Sequence, residues 1–377
     1  MKVLILSVTA GYGHHATAKA LEDCFHSHNI SVQTIDVYDY LNKLVHDTIS
    51  TGYLVSSKYT PLLYRVLYTL AENKNTEAFY PQFNIIHVVN ALNAFKFERF
   101  IEDYQPDVIL CTHVFAAQLM DEMKKRNLVQ APTIGIVTDY TIHPFWEDVP
   151  RLEYIVIASE LITHLAVKRG IAKERILPFG IPIHPSFQKA CTKAEARKML
   201  GLDPDVPVVL VSGGRIGYND CKKVVKEISN TGLTLQIVAL AGKNRHQLKK
   251  LQELPHKIEN CYLHPYGFVD NMSDMMSAAD CIITKPGGLT VTESIAKRLP
   301  MLLIHPIPGQ EERNVEFLLN NGIASLVTKT FPLDEALYHM FTNPVRQQTI
   351  RQTMEAIGHP DAAEKLVNFV INHWKNI

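Results

Sequence analysis

Short apolar runs of strand length recur along this chain, separated by amphipathic or turn-rich stretches, and they fall into two series. The first comprises Lys2–Val8, Ser31–Val37, Asp107–Cys111, Thr133–Val137, Tyr154–Ala158 and Ile176–Phe179, with helical patterns over Ala16–His26 and near Glu160–Arg169. The second comprises Val208–Val211, Leu235–Ala239, Cys261–His264, Cys281–Thr284 and Met301–Ile304. Apolar on both faces, these runs suit parallel strands, whose crossover helices cover the sheet on either side. The Pro-punctuated stretch G-I-P-I-H-P-S-F (180–187) reads as a linker between the series. The pattern predicts an α/β chain of two Rossmann-like parallel-sheet domains facing each other across a cleft. The expected domains are 1–186, 187–355 and a C-terminal helical piece, 356–377, packing back towards the first. Residues 41–100, rich in Tyr and Leu, interrupt the first series.

Length and composition narrow the function classes. At 377 residues the chain exceeds one ordinary core. Lys plus Arg (38) balances Asp plus Glu (38), which argues against a basic nucleic-acid surface. The six cysteines, at 24, 111, 191, 221, 261 and 281, include no Cys-x-x-Cys, which argues against both a disulfide framework and a zinc site and fits a reducing cytoplasm. No run approaches the ~18 apolar residues of a membrane span, so membrane contact is expected to be peripheral.

The stretch with the sharpest chemistry is K-P-G-G-L-T-V-T-E-S-I-A (285–296). A buried strand ends at Pro286-Gly287-Gly288, and Leu289–Lys297 then reads as a helix. Such a turn points unpaired backbone N–H groups outward at the positive end of the helix dipole, which is an anion site. Glu293 lies one helical turn on, overlooking the same loop. A carboxylate there repels phosphate but suits a neutral diol such as ribose. Phosphate site and acid together indicate a nucleotide diphosphate.

A second Gly-rich loop, G-Y-G-H-H-A (11–16), also joins a strand to a helix, with Asp36 closing the next strand. Formally this is a dinucleotide fingerprint, which leaves a nicotinamide or flavin enzyme as an alternative. Against it, Tyr12, His14 and His15 crowd the place where a pyrophosphate needs close backbone approach. A histidine beside Gly13, at the carboxyl end of the first strand, faces the cleft of such a fold. Near neutrality it accepts a hydroxyl proton. His14, nearest the glycines, is the expected base, and His15 a bystander or ligand contact. Asp139, in T-D-Y after another strand, either orients His14, acts itself, or caps a turn.

G-Y-G-H-H-A-T-A-K-A, P-D-V-I-L-C-T-H (106–113), T-D-Y-T-I-H-P-F-W (138–146), F-G-I-P-I-H-P-S-F and P-G-Q-E-E-R-N occur in collinear order over nearly the whole chain. Together they resemble the monogalactosyldiacylglycerol synthase family, glycosyltransferases of family 28 that include bacterial diacylglycerol glucosyltransferases. The resemblance implies the GT-B fold, a UDP-hexose donor bound by the C-terminal domain, a diacylglycerol or related lipid acceptor, inversion at the anomeric carbon, and no metal or other cofactor. His14 matches the family's catalytic histidine, Glu293 its ribose-binding acid, and Gly288, Leu289 and Thr290 its donor phosphate loop. Gln310 and Glu311 match residues that read the hexose hydroxyls, and Phe268–Val269 the stretch bracketing uracil. With a lipid acceptor implied, Gly13, His15, His113, His143 and Trp146 are assigned to the acceptor side, with core packing the alternative for Trp146. Ser212–Gly217, with Gly213, Gly214 and Arg215, corresponds to the second Gly-rich loop under the diphosphate. Two departures stand out: Tyr12 replaces a commoner glycine, and Arg215, which either contacts the diphosphate or faces solvent, replaces a small or acidic residue.

The one Asp-x-Asp of the sort that binds a metal in other transferases, Asp203-Pro-Asp205, reads as a turn. Residues 41–100 place Tyr53, Tyr59, Tyr64 and Tyr68 among leucines, with six Lys/Arg against four acids. Such a segment suits an anionic membrane surface, so the expected location is cytoplasmic, at the inner face of the cell membrane. A transferase to a polyprenyl-linked acceptor, an epimerase on the same fold and a non-catalytic UDP-sugar sensor are the competing readings. Which UDP-sugar is used is not legible in the residues.

Overall fold

In the computed structural model, which describes residues 1–9, 12–40, 94–213, 221–307 and 309–374, the two series of apolar runs form two parallel sheets. The chain divides into two compact units. One comprises Met1–Pro185, Ile307–Arg313 and His359–Ile377, the other Ser186–Pro306 and Asn314–Gly358. The main change of unit therefore falls inside the 180–187 stretch, while residues 307–313 group with the first unit.

The first sheet contains β1 (Lys2–Ser7), β2 (Ser31–Asp36), β3 (Val108–Cys111), β4 (Thr133–Ile136), β5 (Tyr154–Val156) and β6 (Ile176–Leu177). Its order is β2-β1-β3-β4-β5-β6, parallel throughout. β3 and β4 are buried at every residue, as strands covered on both faces must be. Helices α1 (Tyr12–Ser27), α2 (Ala94–Tyr104), α3 (Val114–Lys125) and α4 (Thr163–Lys168) accompany these strands. α1 stops where Asn29 takes φ 56°, a left-handed residue that lets the Ile30 N–H return to the Phe25 carbonyl and the chain enter β2.

The second sheet contains β7 (Val208–Ser212), β8 (Leu235–Leu240), β9 (Lys257–Ile258), β10 (Cys261–Tyr266), β11 (Cys281–Thr284), β12 (Met301–Leu303) and β13 (Ala324–Leu326). The order is β13-β12-β11-β7-β8-β10-β9, with only β9 antiparallel. Between and after these strands run α5 (Lys193–Leu200), α6 (Cys221–Ser229), α7 (Arg245–Gln252), α8 (Met272–Ala278), α9 (Gly288–Ala296), α10 (Gln310–Asn320), α11 (Leu333–Thr342) and α12 (Pro344–Ile357). β9 and β13 carry too few residues to stand out in the sequence as strands.

The final helix, α13 (Ala362–Trp374), belongs to the first unit. Ala363, Leu366, Val367 and Val370, spaced for one helical face, join Val3, Ile5, Leu21, Phe25, Leu110 and Ile134 in its core. Gly180, at φ 94°, lets the chain pass beside this helix: a Cβ there would meet His359 Cβ at 2.6 Å. Among the described residues no helix is long and apolar enough to cross a membrane. The expected docking segment lies mostly in residues 41–93, outside the described residues.

Candidate active site

Each sheet reverses its strand order once, and His14 and the donor-side glycine turns follow strands that flank those reversals. Ligands of open parallel sheets bind beyond the carboxyl ends of the strands at such a point. In the first sheet the reversal lies between β1 and β3. The helix after β1 begins at Tyr12, earlier than the sequence pattern predicts, so Gly13 and His14 stand on its first turn and not in a loop. His14 Nδ1 lies 2.8 Å from the Thr112 carbonyl oxygen, just past β3. It also lies 3.1 Å from Thr138 Oγ1, just past β4. A carbonyl oxygen only accepts, so Nδ1 carries the proton and Nε2 of the neutral ring keeps its lone pair. Among the described residues Nε2 has no hydrogen-bond partner.

Burial lowers the His14 pKa from 6.5; the Thr112 carbonyl and the charge of Asp139 oppose this, and His15 adds to it. The positive end of α1 works in the same direction as burial. The outcome is an imidazole kept neutral, with one nitrogen braced and the other open. Asp139 is half-buried and near enough for its charge to act on His14.

The neighbouring histidines are set the opposite way. His113 caps α3, its Nδ1 accepting the Phe115 N–H at 3.1 Å. His143 Nδ1 accepts the Phe145 N–H at 3.2 Å. In both rings Nδ1 is therefore unprotonated, and Nε2 carries the proton. Burial, with the charges of His14 and His143, pushes His113 well below the ordinary histidine range. Burial, with Arg169, lowers His143 to about 4, against the pull of Glu147. Both are neutral donors through Nε2–H. The His113 ring meets His14 edge to face, with centroids 4.5 Å apart.

His15 turns elsewhere: its Nε2 lies 2.9 Å from Thr9 Oγ1 and 3.5 Å from Asp36 Oδ2. Thr9 also donates to Asp36, as does the Tyr38 N–H at 2.9 Å. Burial resists ionisation of Asp36, but these bonds outweigh it and hold the carboxyl below its usual range. The acid that a dinucleotide fingerprint would offer to a ribose is thus occupied by the protein itself. Trp146 is 5% exposed and packs on β4, where a Cβ on Gly135 would fall 2.6 Å from the indole; its side chain is part of the core.

In the second sheet the reversal lies between β7 and β11, which pair with Ser212 opposite Thr284. The two Gly-rich loops leave these neighbouring strand ends. Gly213 follows β7; Gly214 and Arg215 lie outside the described residues. After β11, Gly287 is the N-cap of α9 and supplies no side-chain cap, so the first N–H groups, on Gly288, Leu289 and Thr290, lack the partner a Ser or Asp cap would provide. Asn314, fully buried on α10, donates from Nδ2 to the Pro286 carbonyl at 2.9 Å and holds the turn in shape.

Glu293 is half-buried beside this turn, and its carboxyl has no hydrogen-bond partner among the described residues. Burial raises its pKa from 4.5 to about 8, so at neutral pH it is largely a neutral acid able both to donate and to accept. Phe268, 52% exposed beyond β10, carries the Lys243 ammonium 5.3 Å over its ring, and Val269 beside it is half-buried. Gln310 opens α10. Glu311 Oε2 accepts the Ile307 N–H at 2.6 Å, which fixes the orientation of its carboxyl. The Asp203–Asp205 segment is the expected turn: Asp203 Oδ1 accepts the Asp205 and Val206 N–H groups at 2.8 and 3.3 Å.

Thr112, Thr138 and Asn314 were not singled out from the sequence. All three stand inside quoted motifs, but their partners are 98, 124 and 28 residues away. Only the folded chain brings them together.

Two family models match the chain: monogalactosyldiacylglycerol (MGDG) synthase over residues 14–183, and the glycosyltransferase family 28 C-terminal domain over residues 208–366. A processive diacylglycerol beta-glucosyltransferase of Bacillus mycoides (strain KBAB4) is 28% identical over 381 residues, covering 99% of this chain and 94% of the relative. Among solved structures, Acinetobacter baumannii MurG superposes with a TM-score of 0.64 at 15% identity, over 98% of this chain and 99% of that one. UDP-GlcNAc 2-epimerase from Neisseria meningitidis superposes with a TM-score of 0.58 at 15% identity, over 99% of this chain and 100% of that one. At such identities the likeness speaks for the fold alone, which is GT-B, and one fold serves more than one reaction. The family models decide what the fold leaves open: the chain belongs to the monogalactosyldiacylglycerol synthase family of glycosyltransferases, with a family 28 C-terminal domain.

Proposed function

We propose that this enzyme is a UDP-sugar-dependent hexosyltransferase that moves a hexose to diacylglycerol, with inversion and without a catalytic metal. The observation that carries the chemistry is the bracing of His14, whose Nδ1–H is held by the Thr112 carbonyl while Nε2 stays open. The name of the Bacillus mycoides relative, a diacylglycerol beta-glucosyltransferase, supports the lipid acceptor and a glucosyl-type donor.

His14 Nε2 takes the proton of the acceptor hydroxyl as its oxygen attacks the anomeric carbon. The bond to the diphosphate breaks through an oxocarbenium-like state, and charge grows on the departing UDP. The N–H groups at the start of α9 receive that charge; losing one preorganised donor of this kind costs about 3 kcal/mol of barrier. One displacement by one activated hydroxyl inverts the centre. Glu293, uncharged at neutral pH, binds ribose hydroxyls without repelling the diphosphate. Phe268 and Val269 bracket the uracil, and Gln310 and Glu311 read the hexose. The enzyme works at the cytoplasmic face of the cell membrane, in peripheral contact with anionic lipid.

Diacylglycerol incubated with each labelled UDP-hexose tests this. The expected product is a glycolipid of inverted anomeric configuration, formed at a rate independent of added Mg²⁺ or Mn²⁺. Transfer with retained configuration, strict dependence on an added metal, or release of free sugar alone would refute the proposal.

A further inference from the structure

At the far end of α1 from His14, three metal-ligating side chains converge that the transfer reaction does not use. Cys24 lies in the last turn of α1, His28 just past its end, and Glu364 in the first turn of α13. Glu364 Oε2 accepts from Cys24 Sγ at 3.2 Å, and Glu364 Oε1 lies 2.9 Å from His28 Nε2. The three ligand atoms all fall within 4.8 Å of one another. Ligands bound to zinc at about 2.0–2.3 Å sit roughly 3.5 Å apart, so small side-chain adjustments suffice to enclose an ion.

We propose that Cys24, His28 and Glu364 bind a borderline-soft divalent cation of the zinc type, which clamps α13 onto the end of α1. The donor set of one sulfur, one imidazole nitrogen and one carboxylate selects that class over magnesium or calcium. Thiolate and carboxylate together balance the double positive charge. The carbonyl-rich C-terminus of α1 favours a cation as well. Cys24 is 4% exposed, while the His28 and Glu364 side chains are 30% and 44% exposed, so the ion has a route in and solvent supplies the fourth position. Asn368 Nδ2, 3.1 Å from Glu364 Oε1, braces the carboxylate from outside. Binding releases the thiol proton to solvent. Burial, with Glu364, raises that thiol to about 12 without a cation, and a directly bound metal reverses the preference. His14, ten residues back along α1, is about 15 Å away and takes no part.

The test uses the full chain, stripped of metal by dialysis and titrated separately with Co(II) and Zn(II). The expected result is one equivalent of Co(II) bound with a thiolate-to-cobalt absorption in the near ultraviolet, displaced by Zn(II), and a higher unfolding midpoint with Zn(II). Cys24→Ser is expected to abolish the absorption. Glu364→Gln, at a half-exposed position that folding tolerates, is expected to weaken binding at least about tenfold. Failure to bind Co(II), an absorption that survives Cys24→Ser, or unchanged affinity in Glu364→Gln would overturn the proposal.

Discussion

Replacing His14 by alanine removes one nitrogen lone pair from the reaction and little else. The side chain is half-buried and stands on the first turn of α1, where alanine is well tolerated. A well-placed general base contributes roughly two to four decades, which is about 3–5 kcal/mol of barrier. Loss of the ring also takes a partner from the Thr112 carbonyl and the Thr138 hydroxyl and removes the His113 edge contact, a local stability cost separate from the chemical step. The expected effect is therefore a fall in kcat and kcat/KM of roughly 100- to 10,000-fold, with UDP affinity unchanged, since the proposed donor turn at Gly287–Thr290 belongs to the other unit. The pH profile gives an independent check. The His14 pKa is lowered from 6.5, so the base stays unprotonated into mildly acidic solution. The acidic limb of kcat/KM should fall below pH 6.5 in the parent and vanish in His14→Ala. Transfer kinetics between about pH 5 and about pH 9, with calorimetric UDP titration, measure both effects. Transfer at the parental rate, or the same acidic limb in the variant, would show that His14 is not the base.

Glu293→Gln separates charge from shape beside the donor turn. The folded pKa of Glu293 is raised from 4.5 to about 8, so ionisation costs stability that is intact below 4.5 and lost as pH climbs to about 8. The variant should raise the unfolding midpoint progressively across that window, and UDP affinity should decline above about pH 8 in the parent alone. A midpoint difference independent of pH would contradict the burial of this carboxyl. Gly180→Ala should destabilise the first unit by about 2–4 kcal/mol, because φ 94° disfavours a side chain and the new Cβ meets His359 at 2.6 Å and Ala362 at 3.2 Å. An unchanged urea midpoint would refute that packing.

Much of the fold was legible because parallel strands covered on both faces are written as uninterrupted apolar runs. Cys281–Thr284 matches its predicted bounds, and β1, β3, β4 and β8 match within one residue at either end. β9 and β13, two and three residues long, were missed because such short segments carry no period. The start of α1 was placed too late because Gly, His and His are weak helix formers; the fold overrides that propensity and puts His14 on the helix. Of the site, the glycine turn and Glu293 were readable from local spacing. The duties of His113 and His143 were not, since whether an imidazole caps a helix or meets a ligand depends on which N–H lies opposite it.

The order of residues alone determined that this chain forms two parallel-sheet units, and that glycine-rich turns lead from strands into helices in both. Periodicity and turn chemistry act over a few residues, so they are complete in the sequence. Tertiary structure decided which nitrogen of His14 carries the proton, which carbonyl Asn314 holds, that Asp36 is already engaged, and that Cys24, His28 and Glu364 meet. Each of these depends on a partner placed by the packing of another element. Protonation state and ligand geometry are set by distances of a few ångströms, which chain order does not encode locally.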